Sequence, residues 1–538
     1  MSFNLRTLFD LTRFSPNLFV QKIIAAVVML RVLIVMAVLL AAAWPFNTDD
    51  AYITLRYSRH LAQGQGIAWN VQESLPVEGY SNFLFVLLGA AAIKLGGDPM
   101  LMLKLIDSLA LAISCLLLYL LARLWLGPVG ATIPAICLTS YVGTYWWTVS
   151  GLETAVYQML IIGALAAFIW GLGYRSVQEI DSPGEKREWS PLWIGVSGFL
   201  TFIAALTRPE GPIIAASFLA ALLADSLLGP DRNRESSWWQ AIKSNAKKIQ
   251  VLLLSFGLPY ALYFFWRWSY FQRLLPNTVY CKSAYQGDPL VLLKSFGWLA
   301  WPYFCFALVA IRRRLDMRSL VIMLVVLCYM VILYGVDPII GRLNRHFLAA
   351  FALLLVLASV GMVYSATFLL PTGSKPLGQL AVVLVICTLA GAALPGTYSK
   401  LRNDAAAYGQ RMAARAEVAA WLNRNLSSQD EYLIGDTGLV PYLTHARVMD
   451  AYCLNCTEMT RPPLNHSPQR FVDFAMARKP AAIVVHSHSV TRLIPHDLYG
   501  IYPLLVQNPS FKKDYRHVIT LGAPGDFRNY WIFSYRGR

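Results

Sequence analysis

Two adjacent carboxylates, Asp49 and Asp50, follow the first long apolar run of the chain, with Tyr52, Arg56 and Tyr57 just beyond them. A positioned carboxylate can take a proton from an attacking hydroxyl, and a pair of them can share a divalent cation. The apolar run, 22–45, is long enough to cross a bilayer, which takes about 20 residues. Acids beside a span are costly unless the position uses negative charge; the plainer alternative is a solvated loop start. Both are expected on an exposed outer loop, 46–80, at the membrane rim. Further polar clusters recur along the chain. They are Glu78-Gly79-Tyr80, Ser150-Gly151-Leu152-Glu153-Thr154, Thr207-Arg208-Pro209-Glu210-Gly211, Asn277 with Lys282, and Arg342-Leu343-Asn344-Arg345-His346. Each has a structural competitor. Arg208–Gly211 could be a turn between spans, Glu153 could only reach to the interface, and Arg345 and His346 could be interfacial anchors.

The elements that must hold these residues are membrane helices. The chain of 538 residues is 57% hydrophobic and only 14% charged, against about 25% charged in soluble domains. Its formal charge of +16 does not indicate nucleic acid, because many cations sit in short loops between apolar runs, as the positive-inside rule expects. Residues 1–21 carry Arg6 and Arg13 but no small-residue cleavage site, so the first run is expected to remain as an anchor. Apolar runs fall near 22–45, 81–96, 103–126, 129–148, 152–173, 191–207, 209–229, 250–271, 290–311, 319–335, 347–370 and 377–396.

Basic loops at 175–187, 232–248 and 312–318 set the cytoplasmic side. From residue 174 onward the alternation closes without conflict. Earlier, an odd number of crossings is required from four runs, so one of 81–96 and 103–126 is expected to be re-entrant or to lie along the surface. That gives about 11 transmembrane helices, since broken helices escape hydropathy.

After residue 396 no spanning run remains, and six of the eight histidines lie there. Residues 431–436 and 481–485 read as buried strands, 518–521 and 530–535 as further strands, and 413–423 and 469–477 as helices. The division expected is a membrane catalytic domain, 1–396, and a small α/β domain, 397–538. Cys115, Cys137, Cys305, Cys328 and Cys387 lie in apolar runs, and Cys281 sits in a loop. Cys453 and Cys456 form a C-x-x-C pair that reads as a local disulfide rather than half a zinc site. His486 and His488 lack a third ligand and read as solvated or structural. Gly435-Asp436-Thr437-Gly438 lacks the spacing of a dinucleotide fingerprint.

The basic loops place every polar cluster on the outer face or just beneath it, while the span interiors hold few ionisable groups, chiefly Arg31, Lys94 and Asp107. A transporter or pump would place its charges near mid-membrane. Charge gathered at one interface suits an enzyme acting on a lipid-linked head group. Departure of a polyprenyl phosphate from a sugar needs cations or a metal to stabilise the developing charge. Arg208, Lys282, Arg342 and Arg345 can supply the cations, arginine making bidentate contacts. Asp49 or Asp50 can supply the base, and either can hold a divalent ion, Mg or Mn.

The stretch Asp49-Asp50-Ala51-Tyr52-Ile53-Thr54-Leu55-Arg56-Tyr57 resembles the acidic loop of the GT-C superfamily of integral-membrane glycosyltransferases. The further motifs narrow the resemblance: Gly64–Asn70, Val77–Leu84, Ser150–Thr154, Thr207–Gly211, Leu275–Thr278 with Lys282, and Gly435–Gly438. Together they resemble the branch containing the mycobacterial terminal β-(1→2)-arabinofuranosyltransferase. Gly335–Arg342, with Asp337, matches that branch only loosely, and the Cys453/Cys456 pair departs from it. The resemblance implies a decaprenyl- or undecaprenyl-phosphate sugar donor, with arabinofuranose as the sugar. It also implies a cell-envelope glycan or protein acceptor, catalysis on the periplasmic face of the inner membrane, and a C-terminal domain on that face. One of Asp49 and Asp50 should be catalytic, with Asp50 favoured because Asp49 lies nearer the helix end. Arg208 and Lys282 should lie near the donor phosphate. Arg56, Glu78, Tyr80, Glu153, Glu210, Asn277, Arg342, Arg345 and His346 complete the expected substrate-binding set. Two other functions compete: a ligase or polymerase of undecaprenyl-diphosphate-linked glycans, and a non-enzymatic flippase for lipid-linked sugars.

Overall fold

Apolar residues in long unbroken runs fold as helices, because a backbone in hydrocarbon must satisfy its own hydrogen bonds. The computed structural model describes residues 18–71, 73, 75–176, 188–228, 238–282, 287–313, 316–336, 338, 341–370, 375–496, 500–522 and 529–537. Arg6 and Arg13, residues 177–187 and 232–237 of the basic loops, and Asp337 lie outside the described residues; the rest of the expected loop 232–248 is helical, from Trp238 onward.

The helices are α1 (Leu18–Ala43), α2 (Asp49–Ala62), α3 (Phe83–Lys94), α4 (Pro99–Ala122), α5 (Ile133–Thr139), α6 (Val142–Thr148), α7 (Thr154–Gly171), α8 (Pro191–Thr207) and α9 (Gly211–Leu228). Then come α10 (Trp238–Leu252), α11 (Leu258–Phe271), α12 (Asn277–Lys282), α13 (Val291–Arg313), α14 (Met317–Ile332), α15 (Leu348–Leu369) and α16 (Lys375–Asn425). Among the described residues, seven helices are long and apolar enough to cross a membrane, and five shorter apolar helices accompany them. Helix α15 is buried on every side from Leu348 to Gly361, as a helix apolar all round must be when it is central. By contrast, Ile23, Val27, Leu30, Ile34 and Val38 leave an exposed apolar stripe along α1. That stripe suits contact with lipid, and the protein is a membrane protein.

The early part of the chain departs from simple crossing. Thr54 on α2 bonds Asn82 just before α3, and Ser58 bonds the Val86 carbonyl, so α3 runs parallel to α2. Helix α3 has 12 residues, about 18 Å of length, too short for a hydrocarbon core of about 30 Å. Of the two runs, 81–96 holds the shorter helix, and α4, with 24 residues, is long enough to cross. The 129–148 run is broken between α5 and α6. The acids also depart from expectation: they begin a helix rather than lie on an exposed loop, and Asp49 is buried.

Helix α16 has 51 residues, about 77 Å at the α-helical rise. It continues without interruption through the boundary expected at residue 396 and ends beneath a sheet. The strands are β1 (Glu431–Ile434), β2 (Arg447–Asp450), β3 (Ala482–Ser487), β4 (Tyr515–Leu521) and β5 (Asn529–Tyr535), in spatial order β2-β1-β3-β5-β4. The β2, β1 and β3 strands are parallel, and β5 and β4 add antiparallel. Alternate residues serve opposite faces. Tyr432, Ile434, Val448, Ala482, Val484 and Ile532 share one core with the end of α16 and with Ile53, Tyr57, Trp69, Val77 and Tyr80 from the α2–α3 region. Leu433, Met449, Ile483, Val485 and Phe533 face the helix Pro468–Arg478 and its neighbours. Four strands fall where apolar runs predict them. Strand β2 was not expected, because Arg-Val-Met-Asp is too short to show alternation.

One expectation is overturned outright. Cys453 is bonded to Cys281, not to Cys456, closing 172 residues of chain. Cys456 is a free buried thiol that donates to Glu458. The C-x-x-C spacing permits a local bridge, but the fold brings the end of α12 closer. Non-reducing peptide mapping should recover a Cys281–Cys453 peptide and no Cys453–Cys456 bridge. Cys453→Ser should lower thermal stability by about 2–5 kcal/mol, the usual effect of losing a native bridge, whereas Cys456→Ser should cost much less.

Candidate active site

The site begins where α1 ends. Phe46 stacks on Trp146 at 3.7 Å and meets the edge of Tyr408 at 4.8 Å. The Thr48 amide donates to the Ser150 carbonyl at 3.1 Å. These contacts fix the first turn of α2, where the helix dipole favours negative side chains.

The two acids there diverge. Asp49 accepts from the amides of Gly438 (3.1 Å) and Leu439 (2.9 Å) and is ion-paired with Arg415, whose Nε lies 3.2 Å away. A Cβ at Gly438 would lie 2.0 Å from the Asp49 carbonyl oxygen, so only glycine allows this approach. Arg415 also bonds Asp436, through Nε at 3.0 Å and NH2 at 2.9 Å. Asp50 is only half-buried and, among the described residues, its carboxylate takes part in no hydrogen bond or ion pair. It lies close enough to Lys282 and Arg345 to act on both electrostatically.

Facing Asp50 is a cluster built by four other segments. Glu153, just before α7, accepts from Arg345 at 2.8 Å and from Asn82 at 2.9 Å, with Arg208 at 3.7 Å. Arg208 is held by Glu210 at 2.9 Å and lies over the Tyr157 ring at 5.3 Å. Its NH2 donates to His346 Nδ1 at 2.6 Å, which leaves the ring proton of neutral His346 on Nε2. That Nε2 is buried and has no partner among the described residues. Leu343 and Asn344 both adopt left-handed backbone, φ +53°, a conformation costly for side-chain-bearing residues. The kink turns Arg345 and His346 inward and leaves Arg342 exposed, 5.8 Å from the Trp146 ring. Below, Asp107 accepts from the Val156 amide at 2.9 Å and so fixes the start of α7 beside Glu153.

Lys282 closes the cluster from the end of α12. Burial pushes its ammonium down from the ordinary lysine range, Arg345 adds repulsion, and Asp50 pulls it back up. Among the described residues Lys282 makes no hydrogen bond or ion pair. An arriving anion would relieve both effects that depress it.

The structure thus gathers Asp50, Glu153, Arg208, Glu210, Lys282, Arg345 and His346, with Arg342 on the rim. Four other expected residues do different work. Arg56 donates to the Trp69 and Pro441 carbonyls and lies over the Trp69 ring at 4.8 Å, joining α2 to the sheet unit. Glu78 is paired twice with Arg267, at 2.8 and 3.0 Å. Tyr80 is packed between Tyr57 and Phe271. Asn277 donates to the carbonyls of Cys453 (2.8 Å) and Leu454 (3.0 Å), beside the disulfide. Sequence reasoning passed over Asn82, Arg267, Arg415 and Asp436 as site or pairing residues. Asn82 and Asp436 stood inside noted motifs, but Arg267 and Arg415 are single cations in helices and carry no local signal.

A divalent cation shared by Asp49 and Asp50 does not fit. Both oxygens of Asp49 accept a backbone N–H, and the Arg415 guanidinium already paired with it repels a second cation. Among the described residues no group of three or more His, Cys, Asp and Glu is placed to hold a metal ion.

Comparison with known proteins gives the fold. A family described as a domain of unknown function (DUF8728) matches residues 401–535. No curated protein sequence matches significantly. Among solved structures, ArnT from Cupriavidus metallidurans bound to undecaprenyl phosphate is similar, at 14% identity and a TM-score of 0.57 over 94% of this chain and 97% of that one. The Archaeoglobus fulgidus oligosaccharyltransferase tethered to an acceptor peptide gives 14% identity and 0.57 over 86% of this chain and 69% of that one. The mycobacterial arabinofuranosyltransferase AftD gives 15% and 0.50 over 97% of this chain and 40% of that one. These neighbours are GT-C glycosyltransferases, and the chain has their fold.

The buried Glu78–Arg267 pair supports the helix that precedes Asn277 and Lys282. Glu78→Gln leaves a buried guanidinium without its counter-charge and should cost about 3–5 kcal/mol, visible as a clear fall in melting temperature in detergent. Arg342→Ala, at an exposed position, should stay within about 0.5 kcal/mol of the parent.

Proposed function

We propose that this protein is a membrane glycosyltransferase that moves a sugar from a polyprenyl phosphate to an acceptor hydroxyl at the extracytoplasmic face. One observation carries the reading: Asp50, whose carboxylate has no partner among the described residues, acts electrostatically on Lys282 and Arg345, next to His346, whose buried Nε2–H has no partner among those residues. A base and a cradle for a leaving phosphate stand side by side, as this transfer requires. The GT-C fold shared with enzymes of lipid-linked sugars supports it.

In the proposed reaction, the acceptor oxygen forms a bond to the anomeric carbon as the bond from that carbon to the phosphate oxygen breaks. The acceptor proton passes to Asp50. The electron pair of the broken bond stays on the phosphate, where Lys282, Arg345 and His346 stabilise the charge. Arg208 and Glu153 act one step back: Arg208 sets the His346 tautomer, and Glu153 aims Arg345. Asp49 takes no part in proton transfer in this scheme, because its oxygens are committed elsewhere.

The sugar proposed is arabinofuranose, on the strength of the motif set from Asp49 to Gly438. The acceptor proposed is an envelope glycan or protein, and the enzyme is placed in a bacterial inner membrane with its sheet unit in the periplasm. The distribution of basic loops supports that orientation.

The test is transfer by purified protein in nanodiscs, from radiolabelled decaprenyl-phosphoryl arabinose to a small arabinofuranoside. Asp50→Asn should reduce kcat by about 10²–10⁴, the range for losing a general base. Lys282→Met should raise the apparent donor KM by about 10–100-fold, the equivalent of one charge-assisted contact. Full activity in Asp50→Asn, or no transfer from any polyprenyl-phosphoryl sugar, would overturn the reading.

A further inference from the structure

Asp49 and Asp50 are neighbours in sequence, yet only Asp49 is tied to the sheet unit. The tie is an array of buried groups that the proposed reaction does not consume. Arg415, only 1% exposed, lies between Asp49 on α2 and Asp436 in the loop after β1. Asp436 in turn accepts from Tyr530 Oη at 2.6 Å, and His486 Nε2 lies 3.8 Å away. The same loop is gripped from its other side, where the Gly435 amide donates to Tyr502 Oη at 2.7 Å. Its far end gives the Gly438 and Leu439 amides to Asp49.

Buried charge arrays are weak contributors to stability, because desolvation offsets much of the attraction, and their best-attested use is to fix one arrangement. The arrangement fixed here is the first turn of α2. Within the sheet unit Arg415 already has a complete partner in Asp436. Its ion pair with Asp49 at 3.2 Å comes in addition and joins the unit to the residue next to Asp50.

We propose that Arg415 and Asp436 are positioning residues for Asp50: acting through Asp49, they hold the start of α2 so that the free carboxylate faces Lys282 and Arg345. The inference rests on the glycosyltransferase reading for its kinetic consequence, but not for its structural one. It makes the sheet unit part of the catalytic apparatus, with Asp436 acting through Arg415 and Asp49.

The experiment uses full-length protein in nanodiscs and the variants Arg415→Gln, Arg415→Lys and Asp436→Asn. Kinetics are read with decaprenyl-phosphoryl arabinose, binding with undecaprenyl phosphate, and local order by amide hydrogen exchange. Arg415→Gln should lower kcat by about a hundredfold, the effect of misplacing a reacting group by about 1 Å. The donor KM and undecaprenyl phosphate binding should stay within about threefold of the parent, because the anion cradle is untouched. Asp436→Asn should act in the same direction, and Arg415→Lys, which keeps the charge, should recover much of the loss. Exchange should accelerate at Gly438 and Leu439 while β1 and β3 stay protected. Unchanged kcat with accelerated exchange would overturn the positioning role. So would loss of protection throughout β1 and β3, which would mark Arg415 as a folding residue. If no form transfers sugar, the glycosyltransferase reading fails by itself, and exchange decides the tie: unchanged exchange at Gly438 and Leu439 overturns it.

Discussion

A guanidinium buried away from water must be met by negative charge, and in this protein that requirement joins two parts of the chain that sequence keeps 366 residues apart. Arg415 is met by Asp49 from the membrane-embedded part and by Asp436 from the sheet. The first turn of α2 cannot move without breaking that arrangement. Asp50, the proposed base, is the second residue of that turn.

The same segment is held by apolar contact. Residues of α2 and the following loop, among them Tyr57, Trp69 and Tyr80, lie in one core with Tyr432, Ile434 and Val484 of the sheet. Arg56 and Arg59 donate into carbonyls of Pro441 and Tyr442, and Cys281 is covalently joined to Cys453. The sheet unit is thus bonded to both flanks of the candidate site, at Asp49 and next to Lys282. A domain fastened at both places fixes the start of α2 relative to the end of α12, and so the proposed base relative to Lys282. This is the preorganisation that charge-stabilising sites need.

Opposite, the cradle is set by strain and by borrowed partners. Two consecutive residues with left-handed backbone, Leu343 and Asn344, turn the chain so that Arg345 and His346 face Glu153 and Arg208. Asn344 is held there by Ser295 at 3.0 Å. Costly backbone of this kind persists only when surrounding contacts over-determine it. His346 Nε2 is the complementary sign, a buried donor with no partner among the described residues, where buried polar groups are normally hydrogen-bonded.

The sequence by itself determined the helical membrane part, the class of the C-terminal unit and four of its strands. Hydrophobic runs and alternation are local properties, so they survive without knowledge of the fold. It also marked most of the ionisable residues that meet in the site, because a charge beside a span announces itself. Pairings were beyond its reach. Cys453 chooses Cys281 over Cys456, its neighbour in sequence, Glu78 is matched by Arg267, and Asp49 is taken by Arg415 while Asp50 has no partner among the described residues. Two adjacent aspartates are chemically identical in sequence. Only tertiary contacts tell them apart, because a side chain's role depends on which donors the fold brings within hydrogen-bond distance, and those donors come from hundreds of residues away.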